Sequence, residues 1–137
     1  MKIFYRFITF ITLAFVVSAC APTNPTLAPP PTLIEQKVVF GPGVNYYIKA
    51  NDVAAAKTVG GDMLRVRFTG HNTSPLKKEI IYQFQFFDAA GFELSGTTSK
   101  WHRLRLTPKQ EFTLQSVATS NHAVDYKITI NTYSKNN

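Results

Sequence analysis

Apolar and polar residues alternate with a period of two along most of this chain from residue 34 onward. Leu64, Val66 and Phe68 alternate with Arg65, Arg67 and Thr69. Ile80, Tyr82, Phe84 and Phe86 alternate with Ile81, Gln83, Gln85 and Phe87. Phe112 and Leu114 stand out of phase with Glu111, Thr113 and Gln115, as do Val124, Tyr126, Ile128 and Ile130 with Asp125, Lys127, Thr129 and Asn131. Successive side chains of a strand point to opposite faces, so each run predicts a half-buried antiparallel strand. Turn-forming residues separate the runs at Gly41-Pro42-Gly43, Gly60-Gly61-Asp62, His71-Asn72-Thr73-Ser74-Pro75, Asp88-Ala89-Ala90-Gly91 and Thr107-Pro108-Lys109. Val53 to Thr58, with three alanines, fits either a turn of helix or an edge strand. About seven strands in roughly a hundred residues predict an all-β fold, an immunoglobulin-like antiparallel β-sandwich; a small β-barrel has the same periodicity.

The first residues follow a different logic. A basic start (Lys2, Arg6), an apolar stretch from Phe7 to Val17 and the small residues Ser18 and Ala19 form a secretory leader. The apolar stretch falls short of the about 20 residues that a stable membrane span needs. Cys20, the one cysteine of the chain, follows directly. Val17-Ser18-Ala19-Cys20 resembles the lipobox of bacterial lipoproteins. That resemblance implies cleavage before Cys20 and acylation of its thiol and new amino group. Ala21, where an aspartate would favour retention in the inner membrane, points by the same resemblance to the outer membrane. The expected organisation is a leader over 1–19, an acylated Cys and Pro-rich tether over 20–33, and a β-sandwich over 34–137. Five of the eight prolines (Pro22, Pro25, Pro29, Pro30, Pro31) fall in the tether, which favours an extended, semi-rigid spacer.

Charge adds a modest constraint. The formal net charge is +7, and removing Lys2 and Arg6 with the leader leaves 13 basic against 8 acidic residues. Such an excess suits solubility first and contact with anionic envelope components second. A lipid-anchored secreted domain without a basic binding motif has no expected nucleic-acid partner. With Cys20 committed to lipid, no disulfide is available and the domain must be held by its core.

Chemistry-bearing residues are sparse. His71, His102 and His122 do not stand at metal-ligand spacings, so no metal or cofactor is expected and the histidines read as loop residues. No Gly-x-Ser-x-Gly element occurs. Glu79, Asp88, Glu93 and Glu111 read as solvated carboxylates at turns or strand ends, and Asn72-Thr73-Ser74 as turn residues. The strongest surface candidate is Trp101 with Arg103 and Arg105. Period two sets these three on one outward face, with His102, Leu104 and Leu106 toward the core. Trp beside Arg is the composition of an interface hot spot and also suits an anionic glycan. Arg65 and Arg67 point outward too and extend a basic stripe if the strands are neighbours. The alternative for Trp101 is a plug at the end of the sandwich, ahead of the strand.

Residues 62 to 130 resemble the YcfL-like family of small periplasmic lipoproteins. The resemblance rests on Arg67-Phe68-Thr69-Gly70-His71-Asn72-Thr73-Ser74 and on Tyr82-Gln83-Phe84-Gln85-Phe86-Phe87-Asp88-Ala89-Ala90-Gly91-Phe92-Glu93-Leu94. Trp101 with Leu104 and Leu106, and Leu114 to Ala118 followed by Ala123 to Lys127, complete it. It implies a β-sandwich with no assigned catalytic residues and a role in the cell envelope. The expected function is therefore a non-catalytic, protein-binding module facing the periplasm and anchored in the outer membrane by lipid. The alternatives are an accessory subunit of a secretion or cell-wall synthesis machine, or a peptidoglycan- or glycan-binding domain. Cys20→Ser should block both acylation and cleavage, because a hydroxyl cannot replace the thiolate that forms the thioether. Incorporation of radiolabelled palmitate into that variant would refute the lipobox reading.

Overall fold

The computed structural model describes residues 32–96 and 99–134. A short helix, α1 (Leu33–Lys37), leads into seven strands: β1 (Val38–Phe40), β2 (Ile48–Lys57), β3 (Leu64–Asn72), β4 (Lys78–Phe87), β5 (His102–Leu106), β6 (Glu111–Val117) and β7 (Asp125–Thr132). They form a four-stranded sheet in the order β1-β7-β4-β5 and a three-stranded sheet in the order β2-β3-β6. The chain crosses between sheets at β1–β2, β3–β4, β5–β6 and β6–β7, so the β3–β6 and β4–β7 pairs interlock. This is the sandwich that the period-two pattern calls for.

Alternation becomes burial wherever one face of a strand meets the other sheet. On β3, Leu64, Val66 and Phe68 are sealed while Arg65 and Arg67 are exposed. Ile80, Phe84 and Phe86 of β4 are fully covered, as are Ile128 and Ile130 of β7, and Phe112 and Leu114 of β6 are buried. Gly70 lies opposite Phe112, and a Cβ there would come within 2.8 Å of the Phe68 ring and 2.9 Å of the Phe112 ring. Glycine is what lets those two rings fill the end of the core.

Several expectations need correction. Leu33–Lys37 is helical, not extended: Thr32 and Glu35 form a reciprocal capping box, with Glu35 N–H donating to Thr32 Oγ1 at 3.3 Å and Thr32 N–H to Glu35 Oε2 at 2.7 Å. The sandwich is not wholly antiparallel, because β1 runs parallel to β7. Val53–Lys57 resolves as part of the edge strand β2, which carries a bulge between Ala50 and Asp52, and Thr58 follows it. Val124 is exposed and precedes β7, whereas Ala123 is the buried residue there.

Asn72 is the one buried polar side chain among the described residues. Its amide donates to Thr107 O at 2.8 Å and Leu76 O at 3.3 Å, and its Oδ1 accepts from Ser74 N–H at 3.1 Å. One carboxamide thus clasps the β3–β4 and β5–β6 links together. Asn72→Ala would strand those backbone groups away from water and should cost on the order of 2–4 kcal/mol. Phe84→Ala empties a core site and should cost about 3–5 kcal/mol. Urea unfolding checks both against Lys127→Ala, an exposed control expected to change little.

Candidate functional site

Trp101 lies one residue ahead of β5, and its exposure of 48% places it neither in the core nor fully in solvent. Arg103 and Arg105 project from the outer side of β5, as parity requires. His102 departs from the expected burial. It shares the inward register of Leu104 and Leu106, yet it is exposed and stacks on Tyr82 with ring centroids 5.4 Å apart.

The strand pairing brings in a residue that the sequence reading left as a solvated carboxylate at a turn or strand end. Glu79, on β4, sits directly opposite Arg105. Its Oε1 accepts from Arg103 Nε at 2.6 Å and from Arg105 Nε at 3.3 Å. The Arg103 guanidinium also lies 3.7 Å above the centre of the Tyr133 ring, beyond the far side of β4. Arg103 is thereby held by an ion pair and a cation–π contact at once. Arg105 is 73% exposed and makes the longer of the two contacts to Glu79. The hydrogen bond from Arg103, with the charge of both arginines, holds the Glu79 carboxyl below its ordinary value despite partial desolvation. Two guanidinium charges against one carboxylate leave a net positive patch, with Trp101 beside it.

Arg65 and Arg67 do not extend that patch. They belong to β3, in the other sheet, and face outward from the opposite side of the sandwich. There they flank a shallow groove of about 310 Å³ floored by Ala54, Ala55 and Ala56. Arg67 lies 3.4 Å from Asp52, and Arg65 has no ion pair or hydrogen bond among the described residues. A further cleft, of about 480 Å³, is bordered by Lys37, Asp88, Asp125 and Tyr126. Lys37 and Asp125 pair across 2.6 Å, and the buried Tyr126 hydroxyl has no hydrogen-bond partner.

Among the described residues no three His, Cys, Asp or Glu side chains come close enough to hold a metal ion. His71 lies inside β3, half-buried, and not in a loop. One Ser-x-x-Lys spacing exists, at Ser74 to Lys77, but it lies in the β3–β4 link and runs into a strand. Its Ser74 Oγ accepts from Leu76 N–H at 3.1 Å, which is turn chemistry. Cys20 lies outside the described residues.

A family profile described as "Protein of unknown function (DUF1425)" matches residues 35–132. The chain belongs to that family. Among solved structures, the DUF1425 chain is similar to cj0090 of Campylobacter jejuni, at 20% identity and a TM-score of 0.60, over 71% of this chain and 98% of that one. It is also similar to a DUF1425 family member from Shewanella sp. pv-4, at 22% identity and a TM-score of 0.57, over 65% of this chain and 81% of the other. At such identities the likeness speaks to the fold. No curated protein matches the chain.

The cluster around Glu79 predicts a pH dependence. Glu79 titrates lower in the folded state than in the unfolded chain, so its contribution to stability is complete above about pH 4.5 and is lost as pH falls through the depressed folded value. Glu79→Gln should remove that part of the acid limb. Urea unfolding of both proteins between pH 3 and pH 7 checks this, and equal pH slopes would count against the pairing.

Proposed function

We propose that this DUF1425 domain is a non-catalytic recognition module, held at the outer membrane by lipid on Cys20 and presenting its β5 side to another envelope protein. The YcfL-like resemblance of residues 62–130 and the lipobox-like Val17-Ser18-Ala19-Cys20 support the setting. The observation that carries the reading is the pairing of Arg103 and Arg105 with Glu79, with the exposed Trp101 two residues ahead of Arg103 on the same edge of the sheet. A half-exposed indole next to a guanidinium already fixed by a carboxylate and an aromatic ring loses little freedom on binding, which is what makes such groups effective anchors. Arg105, more loosely held, is free to meet a carboxylate of the partner in bidentate geometry. The surrounding β5 backbone forms a sheet edge, so the patch is accessible from two directions.

A second reading, a binder of peptidoglycan or another anionic glycan, draws on the Arg65–Arg67 groove of the opposite face. The two readings use different residues and separate experimentally. Trp101→Ala should lower crosslinking to an envelope protein in intact cells by about thirtyfold, the equivalent of about 2 kcal/mol, with an unchanged melting temperature. Arg65→Ser with Arg67→Ser should leave that crosslink intact. Loss of folding in Trp101→Ala, or loss of the crosslink only in the β3 double variant, would overturn the β5 assignment.

A further inference from the structure

The sandwich has one sheet of four strands and one of three, and the missing strand leaves a gap at a definable place. β5 is the edge of the larger sheet, and the four-residue link Thr107–Gln110 carries the chain from it directly to β6, the edge of the smaller one. The two edges therefore lie on the same side of the molecule. Along the inward row of β5, Leu106 is sealed, Leu104 is half-buried and His102 is exposed, with Tyr82 half-buried beside it. All belong to the inward register. The three-stranded sheet runs out before it covers them.

The β6 edge itself is open. Ala118 N–H donates to Leu64 O, and Asn72 N–H to Gln110 O, each at 2.8 Å. Those bonds direct the backbone groups of even-numbered β6 residues toward β3, and leave those of Glu111, Thr113, Gln115 and Val117 on the free side. Among the described residues nothing is bonded to them. Other edges carry protection of the usual kinds. β1 has three residues, β2 has a bulge, and β5 bears Arg103 and Arg105. β6 has no proline, no basic residue and no break in its register with β3.

We infer that β6 accepts an extended segment of a partner protein as a fourth strand of the smaller sheet. The larger sheet has one strand more than the smaller, so the gap corresponds to one strand. A second copy of the sandwich cannot bring β6 against β6, because its larger sheet would occupy the layer that β5 already fills. The chain's own tether is poor in N–H donors through its five prolines, and it joins the domain at α1 and β1, at the opposite edge of the larger sheet. Near the end of β6, Gly96 approaches Thr119, where a Cβ on the glycine would lie 2.7 Å from Oγ1. The strand accommodated is thus about five to seven residues long, on the order of 17–24 Å.

The composition of that segment follows from the two faces. Its inward side chains meet Leu104, Tyr82 and His102 and must be apolar. Its outward ones lie beyond Gln115 and Val117, whose β3 neighbours are Arg67 and Arg65. Two strand spacings, roughly 10 Å between Cα atoms, are within reach of an arginine and a carboxylate side chain together. Arg65, without a partner in this structure, acquires one. The segment is alternately apolar and acidic, and docks by strand addition, where main-chain bonds give affinity and alternate pockets give specificity. This surface is separate from the Trp101–Arg103–Arg105 face, so either can fail without the other.

A capped seven-residue peptide alternating Leu or Val with Glu, added to the isotope-labelled domain, tests the inference. The amides of Thr113 and Gln115 should shift and exchange with solvent at least tenfold more slowly, with side-chain shifts at Tyr82 and His102. Two isomers of the peptide, N-methylated on complementary alternate amides, should differ in affinity by at least tenfold on the unaltered protein. Thr113→Pro removes a free-edge donor without breaking a bond to β3, and should weaken binding similarly at an unchanged melting temperature. If that variant does not fold, the methylated pair carries the test. Equal affinity of the two isomers, shifts confined to Trp101, Arg103 and Arg105, or no response at millimolar peptide would overturn the inference. So would concentration-dependent dimerisation that protects the same amides.

Discussion

The carboxamide of Asn72 sits where water does not reach, between the two short links by which the chain changes sheets. A buried amide with donors and acceptor all engaged stabilises one arrangement of its partners and penalises every other. Here the partners are the β3–β4 and β5–β6 links, so the clasp fixes how the two sheets are offset at that end. Leu106, immediately ahead of the clasped Thr107, is sealed as a result, and β5 departs from that fixed point at a set angle. Farther along the same strand, the β4–β5 register sets Glu79 opposite Arg105. A loop-like Asn in the sequence is thus a core residue in function.

The sequence pattern made the strand interiors legible because one face of each is buried against the other sheet. A period of two leaves no freedom there: a slip by one residue would turn Phe68 or Phe84 into solvent. Parity reports inward or outward, however, and not from which sheet. Arg67 and Arg103 are both outward, yet the two outer faces of a sandwich point in opposite directions, so a single basic stripe does not form. Neither does parity guarantee cover, as His102 shows: an inward side chain is buried only if a strand lies opposite. Val38–Phe40 is too short for periodicity to speak, and its parallel partner, β7, is remote in sequence.

The Glu79 contacts were illegible for another reason. Residues 88–101 separate β4 from β5, and nothing local in that stretch sets which residue of one strand faces which of the other. A one-pair shift would still bury Leu104 or Leu106 less well, but only the folded register shows that Glu79 meets Arg105 and lies diagonal to Arg103. The stacking of Arg103 on Tyr133 depends in turn on β7 lying on the other side of β4. Charged residues that look dispersed in the sequence become a cluster through the pairing of two strands, β4 and β5, and the sandwich keeps its two basic regions apart on opposite faces.

The parallel pairing of β1 with β7 also governs the order of events as the chain folds. Val38 and Ile128 become neighbours across about 90 residues of intervening chain. β7 is the inner strand joining β1 to β4, and it is made last. While a nascent chain emerges from its N-terminus, β2 and β3 can form their hairpin early, but the larger sheet has no centre until residues 125–132 arrive. Non-local closure of this kind is slow, on the order of milliseconds to seconds for β-rich domains. Through that interval the apolar rows of β3 and β4 lack their final cover. The larger sheet therefore closes only once residues 125–132 are available, and the chain passes through an intermediate whose apolar rows are exposed.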